Sequence, residues 1–259
     1  MNTKNLKEDF QEVSFSEGYF YPKILKNLAK ILHSGTVFIE IGASKGKFIF
    51  DVNKIINQSS LYAIEPDPIK FKQLKENCLK WEQGTDNKIY ALNIAIGDRD
   101  GQASFKRANL PEGGSLLTSD LSQVKDELKE ALSWESISVD IFKLDTLFQR
   151  IKPDIIKIDV SGSHLPILQG STGILKQGKT KFLIEFRHKY TSEVANNRDE
   201  IYKFMKSFDY FPTEFYGMTL FRNPKKDPQK NLLVEHLTQS IRKIIPKSLL
   251  YWLRGFFRR

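Results

Sequence analysis

Residues 38–48 read FIEIGASKGKF: a short apolar run, Phe38-Ile39-Glu40-Ile41, followed by Gly42, Gly46 and Lys47. Glycines after a strand let a backbone pass close to a ligand, so the stretch raises the question of which ligand. A phosphate-cradling loop of the form G-x-x-x-x-G-K-[ST] does not fit. Gly42 to Gly46 is one residue too short, and Phe48 stands where a magnesium-binding hydroxyl belongs. The dinucleotide pattern G-x-G-x-x-G needs a glycine where the pyrophosphate crosses the helix N-terminus, and that position is Ser44. What remains is acid-x-G-x-x-x-G at the end of a first strand. It suits a ligand that has no phosphate but needs close backbone approach and a nearby anion.

The segments on either side set that loop in a fold. Residues 19–33 space Ile24, Leu25, Leu28, Ile31 and Leu32 as an amphipathic helix that ends at Gly35. TVFIEI reads as a buried strand, residues 45–57 as a helix, and SLYAIE as a second strand ending at Glu65. Asp67 as N-cap and Pro68 at the first helical position open the next helix. KIYALNIAI is a third strand, GDRDGQASFKRA a turn into a short strand, and ISVDIFKL alternates as a strand. The pattern resumes with the strand PDIIKIDV, the helix HLPILQGSTGILK, the strand TKFLIEF, the helix RDEIYKFMKSF, and two strands around Gly217. Strands alternating with helices build a parallel sheet with right-handed crossovers.

S-adenosylmethionine matches the ligand described above. Its α-amino group is cationic, so an acid near the strand end is useful and a phosphate nest is not. Its ribose offers two hydroxyls that a carboxylate ending the second strand can accept. Glu65 lies at that place, 25 residues after Glu40. Taken singly, the glycines are also what a tight turn needs, and the acid what a helix cap needs. The order strand, G-x-x-x-G, helix, strand, acid, helix carries the reading.

The segments VFIEIGASKGKF, YAIEPDP, NIAIGDRDGQASF, FKLDTLF, PDIIKIDVSGSHLPILQGSTGIL and FLIEFRH, in that order, resemble the FkbM-type methyltransferases. These are a branch of the class I S-adenosylmethionine-dependent enzymes. The family's usual forms read D-x-G-A-N-x-G, F-E-P, A-x-x-D-x-x-G, L-D and K-x-D-V-E-G-x-E-x-x-x-L-x-G. The resemblance implies an α/β, Rossmann-like fold with a mostly parallel seven-stranded sheet and a C-terminal antiparallel strand. It implies O-methylation of a hydroxyl on a sugar, glycan or natural product, with S-adenosyl-L-methionine as cofactor. Gly42, Ala43, Ser44 and Gly46 would line the cofactor's methionine part, with Glu40 behind its amino group. Glu65 would hold the ribose, and Asn93 and Ala95 would lie near the adenine. Asp159 would face the methyl-donor side.

The departures are informative. Ser44 replaces an asparagine and Glu40 an aspartate, both mild changes. In KIDVSGSH, Ser161 and His164 occupy the places of two usual glutamates. Either the chemistry is retuned with His164 as base, or this copy is an inactive methyltransferase-fold binding protein. Methyl transfer to an alcohol is an in-line displacement that also needs a general base, and histidine suits that role near neutral pH. Of the four histidines, His33 ends a helix and His236 lies in the C-terminal tail. His164 and His188 follow the fourth and fifth parallel strands, where α/β sheets bind ligands. With Asp159 they form the candidate catalytic set. The competing reading is a capping or surface histidine for each, and a helix N-cap for Asp159. The turn-rich loop NLPEGGSLLTSD and the helix after it could form an acceptor lid.

Composition bounds the rest. The 259 residues are 40% hydrophobic and 27% charged, globular values that allow a core without staples. A single cysteine, Cys78, gives neither a disulfide framework nor a cysteine-rich metal site, and no metal is expected. It fits a reducing, cytoplasmic setting. The N-terminus lacks the apolar core of a signal peptide, and no stretch is apolar enough to span a membrane. From Arg222 onward ten basic residues face two acidic ones, so residues 222–259 hold +8 of the net +9. We divide the chain into an N-terminal helical segment (1–35), a methyltransferase domain (36–223) and a basic amphipathic helical tail (224–259). Within 246–259, Leu249, Leu250, Trp252, Leu253, Phe256 and Phe257 share one helical face beside basic residues. That pattern suits an anionic membrane surface at the cytoplasmic face, or packing on the body. Nucleic acid is the poorer fit: the tail's apolar face would go unused, and [DN]-P-P-[YF] is absent.

Overall fold

The computed structural model describes residues 22–108, 115–116, 133–186 and 198–227. His188, the tail from 228 onward and most of the expected lid lie outside the described residues. A first helix, α1, covers residues 22–28. Ile24 and Leu28, with Ile31 and Leu32 after the helix, bury against one face of the sheet. β1 (Val37–Ile41), α2 (Lys47–Asn53), β2 (Ser60–Ile64), α3 (Pro68–Glu82) and β3 (Lys88–Leu92) follow. The start of α3 is as the sequence predicts: the Asp67 carboxylate accepts the Ile69 and Lys70 N–H groups, and Pro68 takes the first turn. α2 is shorter than the expected 45–57, because Gly46, at φ 89, is its N-cap.

KIYALNIAI is not one strand. Its last residues, β4 (Ala95–Ile96), leave the main sheet for a second one, with β5 (Gly101–Ala108), β6 (Ser115–Leu116) and β7 (Trp134–Phe142) in the order β4-β7-β5-β6. Asn93 marks the break: its side-chain amide donates to the Glu65 and Pro66 carbonyls at 2.9 and 3.1 Å. Ala95, Ala103, Phe105, Val139 and Ile141 form a small core for this sheet.

α4 (Leu144–Leu147) leads to β8 (Ile155–Ile158). The single helix expected over HLPILQGSTGILK is two, α5 (His164–Gln169) and α6 (Thr172–Gln177). The Asp145 carboxylate caps α6, accepting the Gly173 and Ile174 N–H groups at 2.7 and 3.0 Å. A Cβ on Gly170, at the end of α5, would lie 1.9 Å from the Gly97 carbonyl oxygen. β9 (Lys181–Ile184), α7 (Arg198–Ser207), β10 (Phe211–Phe215) and β11 (Met218–Arg222) complete the chain.

The main sheet has seven strands in the order β10-β11-β9-β8-β1-β2-β3, all parallel except β11, which runs against both neighbours. Strand alternation divides its apolar side chains between two cores. Phe38, Ile155, Leu183 and Leu220 face one, with α1 and α2. Ile39, Ile156, Phe182 and Phe221 face the other, with α5, α6 and α7. Among the described residues no helix is long and apolar enough to cross a membrane, and no cluster of three metal-ligating side chains occurs.

Candidate functional site

Among the described residues singled out in the sequence, Glu40, Gly42, Ala43, Ser44, Gly46, Glu65, Asn93 and Asp159 lie at or just after the carboxyl ends of β1, β2, β3 and β8. After β1 the loop continues the ladder to β2: the Gly42 and Ala43 N–H groups both donate to the Ile64 carbonyl, at 2.9 and 3.0 Å. The chain then alternates into left-handed backbone at Gly42 (φ 83), Ser44 (φ 50) and Gly46 (φ 89). The glycines are required by the protein itself. A Cβ on Gly42 would lie 2.0 Å from the Asp159 carbonyl oxygen, and one on Gly46 2.6 Å from a Leu74 methyl and 2.8 Å from the Trp81 ring. These glycines let β1's loop approach β8 and α3 closely. At Ser44 the left-handed conformation explains the asparagine usual there, since asparagine tolerates that region best among residues with a side chain.

Glu65, just past β2, is buried with both oxygens engaged. Oε2 accepts the Ser44 N–H at 2.8 Å and Oε1 the Asp67 N–H at 2.9 Å. Burial pushes its pKa up, with Lys70 and the two N–H groups acting the other way. Each oxygen keeps a second lone pair. Arg107 of β5 reaches the same place, 3.8 Å from Asp67 Oδ1, and also pairs with Glu135 of β7, which ties the small sheet to the end of β2.

Glu40, Lys157 and Asp159 form a buried charge cluster. The β1–β8 register sets Glu40 beside Lys157, and the Lys157 ammonium donates to Glu40 Oε1 at 3.0 Å and to Asp159 Oδ2 at 2.8 Å. Glu40 and Lys157 are each 2% exposed. Burial alone would lower the lysine's pKa, but Asp159, Glu40 and Glu185 outweigh it and hold the ammonium charged. Burial, only partly offset by Lys157, raises Glu40 to about 7. Lys157 is the member of the site that sequence reasoning left unplaced. The signal was the pairing of Glu40 and Lys157 on one face of adjacent parallel strands, which requires strand order as well as periodicity.

Residues 40–212 match the methyltransferase FkbM domain. The chain belongs to the FkbM methyltransferase family. No curated protein matches it. Among solved structures it is similar to the FkbM methyltransferase of Methylobacillus flagellatus at 15% identity and a TM-score of 0.48, covering 74% of this chain and 44% of that one. A second similar structure is an S-adenosyl-L-methionine-dependent methyltransferase described as putative, from Methanococcus maripaludis, at 13% identity and a TM-score of 0.46, covering 86% and 92%. A third is a precorrin-6y C5,15-methyltransferase from Geobacter metallireducens, at 12% identity and 0.42, covering 77% and 83%.

The remaining site residues of this FkbM chain fall as follows. Asp159 follows β8, and its N–H still donates to the Ile41 carbonyl at 3.0 Å. Asn93 uses its amide to fasten the end of β2, as above. Ala95 lies in the small sheet's core, 2% exposed. His164, the first residue of α5, is fully buried at 0% exposure. Its Nε2 lies 3.0 Å from the Glu185 carbonyl. A carbonyl only accepts, so Nε2 carries the hydrogen and Nδ1 presents a lone pair. That Nδ1 is buried and has no hydrogen-bond partner. Burial lowers the His164 pKa, against the Glu185 hydrogen bond and Asp159, and Arg198 adds to the lowering, so the ring is neutral at pH 7. Phe186 packs on it with ring centroids 5.3 Å apart, and the Arg198 guanidinium lies over Phe186 at 4.8 Å.

Proposed function

We propose that the chain transfers a methyl group from S-adenosylmethionine to a hydroxyl of a sugar, glycan or other natural product, with His164 Nδ1 as proton acceptor. The observation that carries this reading is the ring of His164, whose tautomer is fixed by the Glu185 carbonyl so that a neutral, unpartnered nitrogen is left, within the field of the Asp159 carboxylate. A general base must be neutral and must offer a free lone pair to the proton it takes. Two further observations support a fit to the cofactor. Glu65 holds two backbone N–H groups and keeps lone pairs for ribose hydroxyls, and Glu40 Oε2 is a buried acceptor with no partner, suited to an ammonium. When bound, the cofactor supplies an activated methyl on a sulfonium. Glu40 and Glu65 bind and orient, and the Lys157 ammonium fixes Asp159 at the end of β8. His164 takes the acceptor's proton.

A second reading has its own observation. His164 is fully buried and its Nε2 fastens α5 to the end of β9, as a core histidine would, and Ser161 stands where a carboxylate is usual. On that reading the protein binds the cofactor without transferring methyl groups. Incubation with methyl-labelled S-adenosylmethionine and a panel of glycan and small hydroxyl acceptors separates the two. The proposal expects transfer, reduced about 10²- to 10⁴-fold by His164→Gln with cofactor affinity kept. Equal turnover of His164→Gln would remove the histidine from the chemistry, and cofactor binding without transfer to any acceptor would favour the second reading.

A further inference from the structure

Charge is out of balance around Glu40. One ammonium, that of Lys157, is divided between Glu40 Oε1 at 3.0 Å and Asp159 Oδ2 at 2.8 Å. The other Glu40 oxygen, Oε2, is buried and accepts no hydrogen bond. The groups facing this carboxylate come from several elements. β8 supplies Lys157 and Asp159, and α2 supplies the Ile49 backbone N–H, the weakest of these influences, which favours the charged carboxylate. α3 supplies the Cys78 thiol. Beyond Lys157 lie Glu185, after β9, and the Phe48 ring of α2, 4.5 Å from the ammonium. Of these groups only Lys157 is cationic.

An ionised carboxylate that is buried and half-satisfied is costly to hold, and taking up a proton relieves that cost. We infer that Glu40 is protonated in the ligand-free protein near neutral pH and gives up that proton when a ligand ammonium reaches it. S-adenosylmethionine would then bind through its α-amino group with release of one proton to solvent, an inference that rests on the cofactor reading above. The Glu40 O–H bond breaks, the proton goes to buffer, and the carboxylate faces the ammonium directly or through one bridging water. No electrons are exchanged. The position of Glu40's own titration, about 7, puts the coupling in an accessible range. Below it, each pH unit weakens binding up to about tenfold, because the proton must first be removed.

The experiment is calorimetric titration of the full chain with S-adenosylmethionine at pH 5.5, 6.5 and 7.5, in buffers of different ionisation heat, beside 5′-methylthioadenosine, which lacks the amino group. Below pH 7.5 the ligand's amino group stays largely protonated, since α-amino groups titrate at about 7.7–8.0. The expected result is binding of S-adenosylmethionine about twentyfold weaker at pH 5.5 than at 7.5, with close to one proton released at pH 6. The expected affinity for 5′-methylthioadenosine is flat with pH. Glu40→Gln, neutral and of the same shape, should flatten the profile for S-adenosylmethionine too; if it does not fold, the proton count and the amine-free ligand still decide. Binding of S-adenosylmethionine with no pH dependence and no proton release overturns the inference while leaving the cofactor reading intact. An unchanged profile in Glu40→Gln overturns it by assigning the proton elsewhere. Absence of S-adenosylmethionine binding at every pH removes the cofactor reading, and the inference with it.

Discussion

Two buried charge clusters sit toward opposite ends of the same sheet, one on β9 and β11 and the other on β1 and β8, with opposite surpluses. At the amino ends, one carboxylate lies between two cations: Asp227 is 3.2 Å from the Lys181 ammonium and 3.7 Å from the Arg222 guanidinium. At the carboxyl ends, one cation lies between two carboxylates, with Lys157 shared by Glu40 and Asp159. The first cluster fastens residues 224–227 to the first residue of β9 and the last of β11. The second stands at the end of the sheet where α/β folds take their ligands, and it leaves an acceptor oxygen of Glu40 buried without a partner. The same device, a buried ion pair, therefore serves two ends. Lys181 and Arg222 are buried too, but their long stems could swing a cation outward if the pairing were lost, whereas a short carboxylate in the core must be met by a proton or by an arriving cation.

The largest effect expected is from Lys157→Met, which leaves two buried carboxylates without their shared ammonium and should cost about 3–5 kcal/mol in urea denaturation at pH 8. Asp227→Ala should cost less, about 2 kcal/mol, because Lys181 and Arg222 can extend toward solvent. Equal losses would erase the contrast between the two ends. Next comes Glu40→Gln, with a pH signature. The folded-state value of Glu40 is raised from 4.5 to about 7. Its contribution is therefore fully present at and below pH 4.5 and lost as pH rises through 7. The variant should be more stable than the parent at pH 8, by on the order of 1–3 kcal/mol, with the gain fading toward pH 4.5. A gain independent of pH would mean that size rather than charge is at issue. The smallest effect separates charge from backbone strain at the same end. Ser44→Asn, at φ 50, should raise stability by roughly 0.5 kcal/mol at every pH; a loss would show that the Ser44 side chain has a role beyond its backbone.

The sequence made the parallel sheet legible because β1, β2, β8 and β9 are buried apolar runs separated by helix starts that local chemistry specifies. Asp67 and Pro68 are the clearest case. Where partners lie far apart in sequence, the reading failed. The helix expected over 164–176 breaks because Asp145, 28 residues before Gly173, caps its second half. The third strand ends because Asn93 bonds back to Glu65 and Pro66, and nothing in KIYALNIAI announces that. The candidate site was half legible. Glu40, Glu65, Asp159 and His164 were found by their places at strand ends. Lys157 was not, because its role depends on which strand lies beside β8. The glycines of the first loop were found, but the protein neighbour that also excludes a side chain at Gly42 was not legible: it is Asp159, 117 residues away.

The central claim is that this family member binds S-adenosylmethionine at the ends of β1 and β2, and calorimetric titration of the parent protein and Glu65→Ala at pH 7.5 tests it most directly. The account predicts one-site binding by the parent, and binding at least about tenfold weaker by the variant, a loss of about 1.4 kcal/mol or more as the ribose hydroxyls lose their acceptor. No binding by the parent, or equal affinity in the two proteins, would contradict it.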